Sequence, residues 1–285
     1  MKRLPLAALF STCVLFTFTA VANAENAQEA AARGKSLLAQ GKIDDAMGAY
    51  AAAAKADRSN PQYAQQFAML RQVSDMRGRF AAEKDARRWE YYARALRAFY
   101  LNEELQDDAL VIDRQLHAKL KTAETALMLA ETQLLLKQNA EAVKTLESVP
   151  QDQAGVATRA LLGVALVRDG RADAAKSIAA EVVMPEQANP GVSYAVARLY
   201  AATGDAPKAM AAMKSCFESL PPSKLDALKS HARTCPDFTA LAGGSEFDAV
   251  MATVSKVPES KCSGGSSCGS CPMSSQCPKS KGKNQ

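Results

Sequence analysis

The sequence predicts an all-α chain: an α-solenoid of about five to six helix-turn-helix repeats with a disordered C-terminal tail. Three observations carry this. Ala109, Ala142, Ala175 and Ala209 are spaced by 33, 33 and 34 residues, with Ala46 in the same role nearer the N-terminus. A period of that length marks a helical hairpin that cannot bury its apolar face alone and must stack on its neighbours. The 285 residues are 48% hydrophobic but only 6% aromatic. Alanine supplies much of the apolar share, which suits helices packed through small residues rather than a sheet. Gly41, Gly170 and Gly204 stand ahead of three of those alanines, where a first helix must end and turn in a left-handed conformation.

Residues 1–24 read as a secretory signal. Lys2 and Arg3 supply the positive start, residues 4–21 an apolar stretch, and Ala22-Asn23-Ala24 a small-residue cleavage site. The stretch is about long enough to span a membrane, but Ser and Thr interrupt it and the cleavage site ends it. Cys13 lies inside the apolar stretch rather than at its end, which argues against lipid attachment. The chain is therefore expected to be an exported bacterial protein, periplasmic or secreted, with no membrane span after cleavage near Ala24. Its net charge of +5 falls by two with Lys2 and Arg3. So mild an excess lacks the clustered Lys and Arg that phosphate backbones need, so nucleic acid is not an expected partner. The richest run, Arg87-Arg88 to Arg94 and Arg97, is interleaved with acids and aromatics and reads as a solvated helix face.

The first unit occupies residues 25–60. Gly34, Leu37, Gly41, Ala46, Tyr50 and Ala53 fall at helical spacing, and Asn60-Pro61 closes it. Residues 61–122 are less regular. Helical patterning persists through Phe67, Leu70 and Val73, and again through Trp89, Tyr92, Leu96, Phe99 and Tyr100. A degenerate unit spans Glu90 to Thr122, with Glu104 in its turn-glycine position and Arg97 in its first small position. The 63 residues from Ala46 to Ala109 fall slightly short of two standard units, which predicts one distorted unit with unusual helix lengths. Regular units follow at 123–155 (Ala130, Ala142, Leu146), 156–189 (Gly163, Leu166, Gly170, Ala175) and 190–223 (Ala197, Tyr200, Gly204, Ala209, Met213). In the last, Asp205 follows Gly204 as a cap for the second helix.

These residues resemble the tetratricopeptide repeat family. Its pattern is a small residue in the first helix, a glycine at the turn, and an alanine, a large residue and a small residue in the second. The resemblance covers roughly half to two-thirds of the chain beyond the signal. It implies peptide or protein partners bound along a concave face made by the first helices. By that resemblance Arg94, Glu131, Leu134, Arg168, Tyr194 and Arg198 point there. Three arginines would favour an acidic or carboxylate-bearing partner; ordinary solvated helix residues are the plainer reading. The family's carboxylate clamp for chaperone tails, built from Lys, Asn and Arg at set inner positions, is not reproduced.

Residues 224–254 read as a cap, with Phe238, Leu241, Phe247 and Val250 covering the end of the last repeat. Residues 255–285 are rich in Ser, Gly, Lys, Pro and Cys and cannot bury enough to order themselves. Within this tail, Cys262, Cys268, Cys271 and Cys277 are separated by five, two and five residues. Local or intermolecular disulfides in an oxidising compartment are the favoured reading. Binding of Zn or Cu by four thiolates is an alternative, although one Cys-x-x-Cys pair is fewer than a zinc ribbon shows. Catalytic thiol exchange lacks the sheet and helix start that would activate Cys268. Cys216 and Cys235 could form a further disulfide only if the chain folds back at Pro221-Pro222.

Neither of the two histidines, His117 and His231, lies near a nucleophile motif or paired carboxylates, and no Gly-rich phosphate loop is present. The chain thus reads as a non-catalytic, cofactor-free scaffold of the bacterial envelope that binds a peptide or protein, with self-association left open. The alternative is a metal-binding or thiol-redox accessory protein acting through the tail cysteines.

Overall fold

The computed structural model describes residues 26–259. The expected signal segment and the four tail cysteines, Cys262, Cys268, Cys271 and Cys277, lie outside the described residues. Those residues are helical and contain no strand. They fall into two units, one ending at Met76 and one beginning at Arg77. In the first, α1 (Ala27–Ala39) packs against α2 (Ile43–Ala56). The part of α3 (Pro61–Ala82) up to Met76 buries Leu70 and Val73, and its Ser74 hydroxyl donates to Asp44 (2.7 Å).

The second unit continues with α4 (Ala86–Asn102), α5 (Gln106–Leu120), α6 (Ala123–Leu135), α7 (Asn139–Glu147), α8 (Val156–Arg168), α9 (Ala172–Glu181), α10 (Pro190–Thr203) and α11 (Ala206–Glu218). Each packs on the next, and α6, α8 and α10 also lie side by side. The chain closes with α12 (Pro222–Thr234), a 3-10 turn at Pro236–Phe238, and α13 (Ser245–Met251). The expected distortion between Ala46 and Ala109 takes the form of the 22-residue α3 and the 17-residue α4.

Five hairpins, α1–α2, α4–α5, α6–α7, α8–α9 and α10–α11, share one turn. An amide beyond the first helix donates back to a carbonyl five residues earlier: Lys42 to Leu37, Leu105 to Tyr100, Gln138 to Gln133, Arg171 to Leu166 and Asp205 to Tyr200, at 2.7–3.0 Å. This closure needs one left-handed residue just before the donor. Gly41, Gly170 and Gly204 supply it at φ 72, 82 and 87°; Glu104 and Lys137 are forced into it at 57 and 58°. Asp205 then caps α11 by accepting from the Lys208 amide.

The register alanines explain the period. Ala46, Ala109, Ala142, Ala175 and Ala209 are each the fourth residue of a second helix, and each is 0% exposed. Opposite them, seven residues before the left-handed turn, stand Gly34, Ala130, Gly163 and Ala197. A Cβ on Gly34 would meet the Tyr50 ring at 2.9 Å, and one on Gly163 would clash with Leu199 Cδ1. Close helix approach therefore requires the small residue. Tyr50, Leu146 and Met213, four residues after their alanines, are buried beside the contact.

The α4–α5 hairpin departs from this rule. Arg97 holds the small position, and Asp113 stands where three of the other four hairpins carry Tyr50, Leu146 or Met213 and α8–α9 carries Ala179. Arg97 Nε donates to Asp113 Oδ1 (2.6 Å), and the Thr132 hydroxyl donates to Asp113 Oδ2 (2.6 Å). A buried ion pair replaces the steric fit.

One core runs from α6 to α13. Phe238, Phe247 and Val250 are buried in it and Leu241 packs against it, with α13 lying on α11. Cys216 and Cys235 are both free thiols, so the disulfide entertained between them is not formed. The two sulfurs face different oxygens: Cys216 donates to the Pro190 carbonyl (3.1 Å), and Cys235 Sγ lies 3.5 Å from Asp237 Oδ2. Burial pushes the Cys216 thiol up to about 12.

Candidate binding groove

Helices α6, α8 and α10 are the first members of consecutive hairpins, so residues at matching turns of each face the same side. Glu131 and Leu134 on α6, Arg168 at the end of α8, and Tyr194 and Arg198 on α10 line one cavity of about 770 Å³. Five of the six residues expected at the partner face are thus brought together. The sixth, Arg94, is elsewhere: its Nε bonds Glu90 (2.8 Å), while Nη1 and Nη2 bond Glu124 (2.7 and 3.1 Å).

The walls are apolar. Leu101, Leu134, Leu135 and Leu228 contribute, and Leu135 is 53% exposed. It belongs to the run Leu134-Leu135-Leu136. A helix cannot bury three consecutive leucines on one face, so that run already signalled an outward leucine.

The floor carries charge. Asp237, delivered by the 3-10 turn, inserts its carboxylate between two of the expected groove arginines. Arg168 Nε approaches Oδ1 at 2.9 Å and Nη2 approaches it at 2.7 Å. Arg198 Nε donates to Oδ2 at 2.7 Å. The Asp237 side chain is 3% exposed. Burial is the largest single influence and works against the Arg198 charge, but the neighbouring acidic groups, Asp237 foremost, with Cys235 and Glu131, together hold that arginine above its ordinary pKa. The arginines are therefore not ordinary solvated residues.

Sequence reasoning missed Asp237 and His231. Asp237 lies 69 and 39 residues from its two partners, outside any repeat offset. The His231 Nδ1 and Tyr194 hydroxyl are 2.7 Å apart, tying α12 to α10. Burial pushes both the Tyr194 phenol and the Cys235 thiol up, the latter with help from the Asp237 charge. Both stay protonated near neutrality, so the groove offers hydrogen bonds, charge and apolar surface rather than an activated nucleophile. Among the described residues, no group of three or more His, Cys, Asp or Glu side chains is placed to hold a metal ion, and no helix is long and apolar enough to cross a membrane.

No protein-family model matches the chain, and no curated protein matches it. Among solved structures, it is similar to TTC0263, a thermophilic tetratricopeptide repeat protein of Thermus thermophilus. The identity is 19% over 72% of this chain and 97% of that one, with a TM-score of 0.36. It is also similar to YrrB, a tetratricopeptide repeat protein described as having an unusual peptide-binding site, at 18% identity over 73% and 93% of the two chains, with a TM-score of 0.32. Likenesses this low carry no functional argument; the repeat architecture rests on the shared turns and buried alanines described above.

Proposed function

We propose that this chain is a non-catalytic scaffold that takes a peptide or protein segment in the groove across α6, α8 and α10, and that it works in the bacterial cell envelope after export. The observation that supports the binding reading is the convergence of Glu131, Leu134, Arg168, Tyr194 and Arg198 on one cavity of about 770 Å³. That volume lies within the ~300–1,000 Å³ range of ligand sites. The lining runs from the end of α4 to the 3-10 turn, crossing several hairpins, which favours an extended segment over a compact small molecule. The export reading is supported by the sequence of residues 1–24 alone.

A photocrosslinking residue at Leu135, compared with one at Val111, tests the binding reading in cells. Val111 is equally exposed at 52% but lies outside the groove lining. A discrete crosslinked partner at position 135 and none at 111 is the expected result. Equal or absent crosslinking at both positions overturns it. Fractionation of the same cells, with the intact mass of the purified protein, tests export: the expected mature chain begins at Glu25.

A further inference from the structure

Arg198 is one of the most buried charges in the protein, at 8% exposed, and it lines the groove. Only its Nε is hydrogen-bonded, to Asp237. Its two Nη nitrogens have no hydrogen-bond partner among the described residues, yet they are not among the sealed, unsatisfied buried atoms. Its neighbour Arg168 differs: Nε and Nη2 engage Asp237, and Nη1 reaches the Leu134 carbonyl at 3.4 Å. A largely buried guanidinium whose free edge opens into the groove is an incomplete site, because Arg can bond a carboxylate through two parallel N–H groups and a ligand there would replace solvent.

The surroundings favour an anion. Lys137, Arg168 and Arg198 set three cations against the two carboxylates of Glu131 and Asp237. The protein also displays the mode of recognition on itself. In Cys235-Pro236-Asp237-Phe238 an aspartate meets the arginine pair, while Phe238 packs edge-on against Tyr194 with ring centroids 5.8 Å apart.

The geometry points to the open Nη edge of Arg198 as the receptor for an Asp or Glu side chain of the bound segment, with apolar residues beside that carboxylate resting on Leu134, Leu135 and Leu228. This rests on the groove reading above and specifies the partner's chemistry: an acidic side chain flanked by apolar residues, not a free C-terminus.

The test uses the full chain as bait for a displayed library of random decapeptides tethered at both ends, which carry no free terminal carboxylate. Enriched peptides are expected to hold one fixed Asp or Glu between apolar positions. Resynthesised with both ends blocked, they should lose about 10- to 100-fold in affinity when that residue becomes Asn or Gln, the scale of one charge-assisted hydrogen-bond pair. Arg198→Lys keeps the charge beside Asp237 but removes the fork. With a melting curve confirming that it folds, it should bind Asp and Asn peptides within a few-fold of each other, whereas Leu135→Asp should weaken both. Enriched peptides that need Leu135 but no carboxylate, or that retain Asp-over-Asn preference in Arg198→Lys, overturn the receptor assignment and leave the groove intact. A second library with free C-termini that enriches acid-free peptides dependent on their terminus overturns the side-chain assignment. No enrichment, or binding indifferent to Leu135→Asp, overturns the groove reading itself.

Discussion

The Arg97–Asp113 pair shows how one hairpin can solve a packing problem with charge. In three of the other four hairpins a glycine or alanine faces a large apolar side chain; here a long cation reaches a fully buried carboxylate. Burial raises the Asp113 pKa, with the Arg97 charge and the Thr132 hydroxyl pulling it back. A buried charge that loses its partner is destabilising by about 3–5 kcal/mol, whereas replacing the pair by well-packed apolar residues is often neutral or stabilising by about 1–4 kcal/mol. Arg97→Ala alone, which strands the fully buried carboxylate, should therefore lower stability by about 3–5 kcal/mol at pH 7 in urea unfolding. Arg97→Ala with Asp113→Leu, the Ala130–Leu146 arrangement, should match or exceed the natural chain. The sign of the pH dependence follows from the raised pKa. Folding disfavours the ionised carboxyl, so the natural chain bears that cost above the folded pKa and sheds it as pH falls toward the ordinary value near 3.8. The double variant's advantage should be largest at pH 7 and shrink by pH 4. A gap that widens on acidification contradicts this account.

At the scale of the element, the shared turn makes its own prediction. Glu104 and Lys137 hold the left-handed position that Gly41, Gly170 and Gly204 occupy freely, at a cost of about 1 kcal/mol for a residue with a Cβ. Glu104→Gly should stabilise α4–α5 by about 0.5–1 kcal/mol, read as a rise in Tm, and Gly204→Ala should lower it by a similar or larger amount. An unchanged Tm in both would mean that the turn does not limit stability. The same turn accounts for what the sequence made legible. A fourth-position alanine recurs in every one of the five hairpins and a turn glycine in three of them, because both answer local requirements of the hairpin, so they can be read. Arg97 was visible as a break in the pattern, and its partner lay at the offset where a large residue belongs. The groove residues were legible only through the family resemblance, which turns the first helices of successive hairpins toward one face. Asp237 was not, since it comes from beyond the last hairpin and no repeat offset connects it with Arg168 or Arg198. Nor could the run of Arg87 to Arg97 reveal that Arg94 spends its charge on Glu90 and Glu124 rather than in the groove.

At the scale of the molecule, Asp237 links parts of the second unit that the repeat alone would leave connected only through neighbours. A stacked array is stabilised by each repeat and each nearest-neighbour interface. Asp237 adds a bond from beyond α12 to α10 and, past it, to α8. Asp237→Asn keeps the shape but removes the negative charge from between two arginines whose side chains are 18% and 10% exposed. The expected loss is about 3–5 kcal/mol, and it should be polarised. Amides of α8, α10, α12 and the 3-10 turn should exchange about 100- to 4,000-fold faster by hydrogen exchange, since each tenfold corresponds to about 1.4 kcal/mol. Those of α4 and α5, which Asp237 does not touch, should keep their protection. Uniform acceleration from α4 to α13 would instead mean that the second unit opens as one block, so that the bridge stabilises the whole unit rather than its C-terminal end. Unchanged protection throughout would mean that the two guanidiniums find water or Glu131 instead. In that case the groove would keep its form without its internal carboxylate, and both arginines would be open to a ligand.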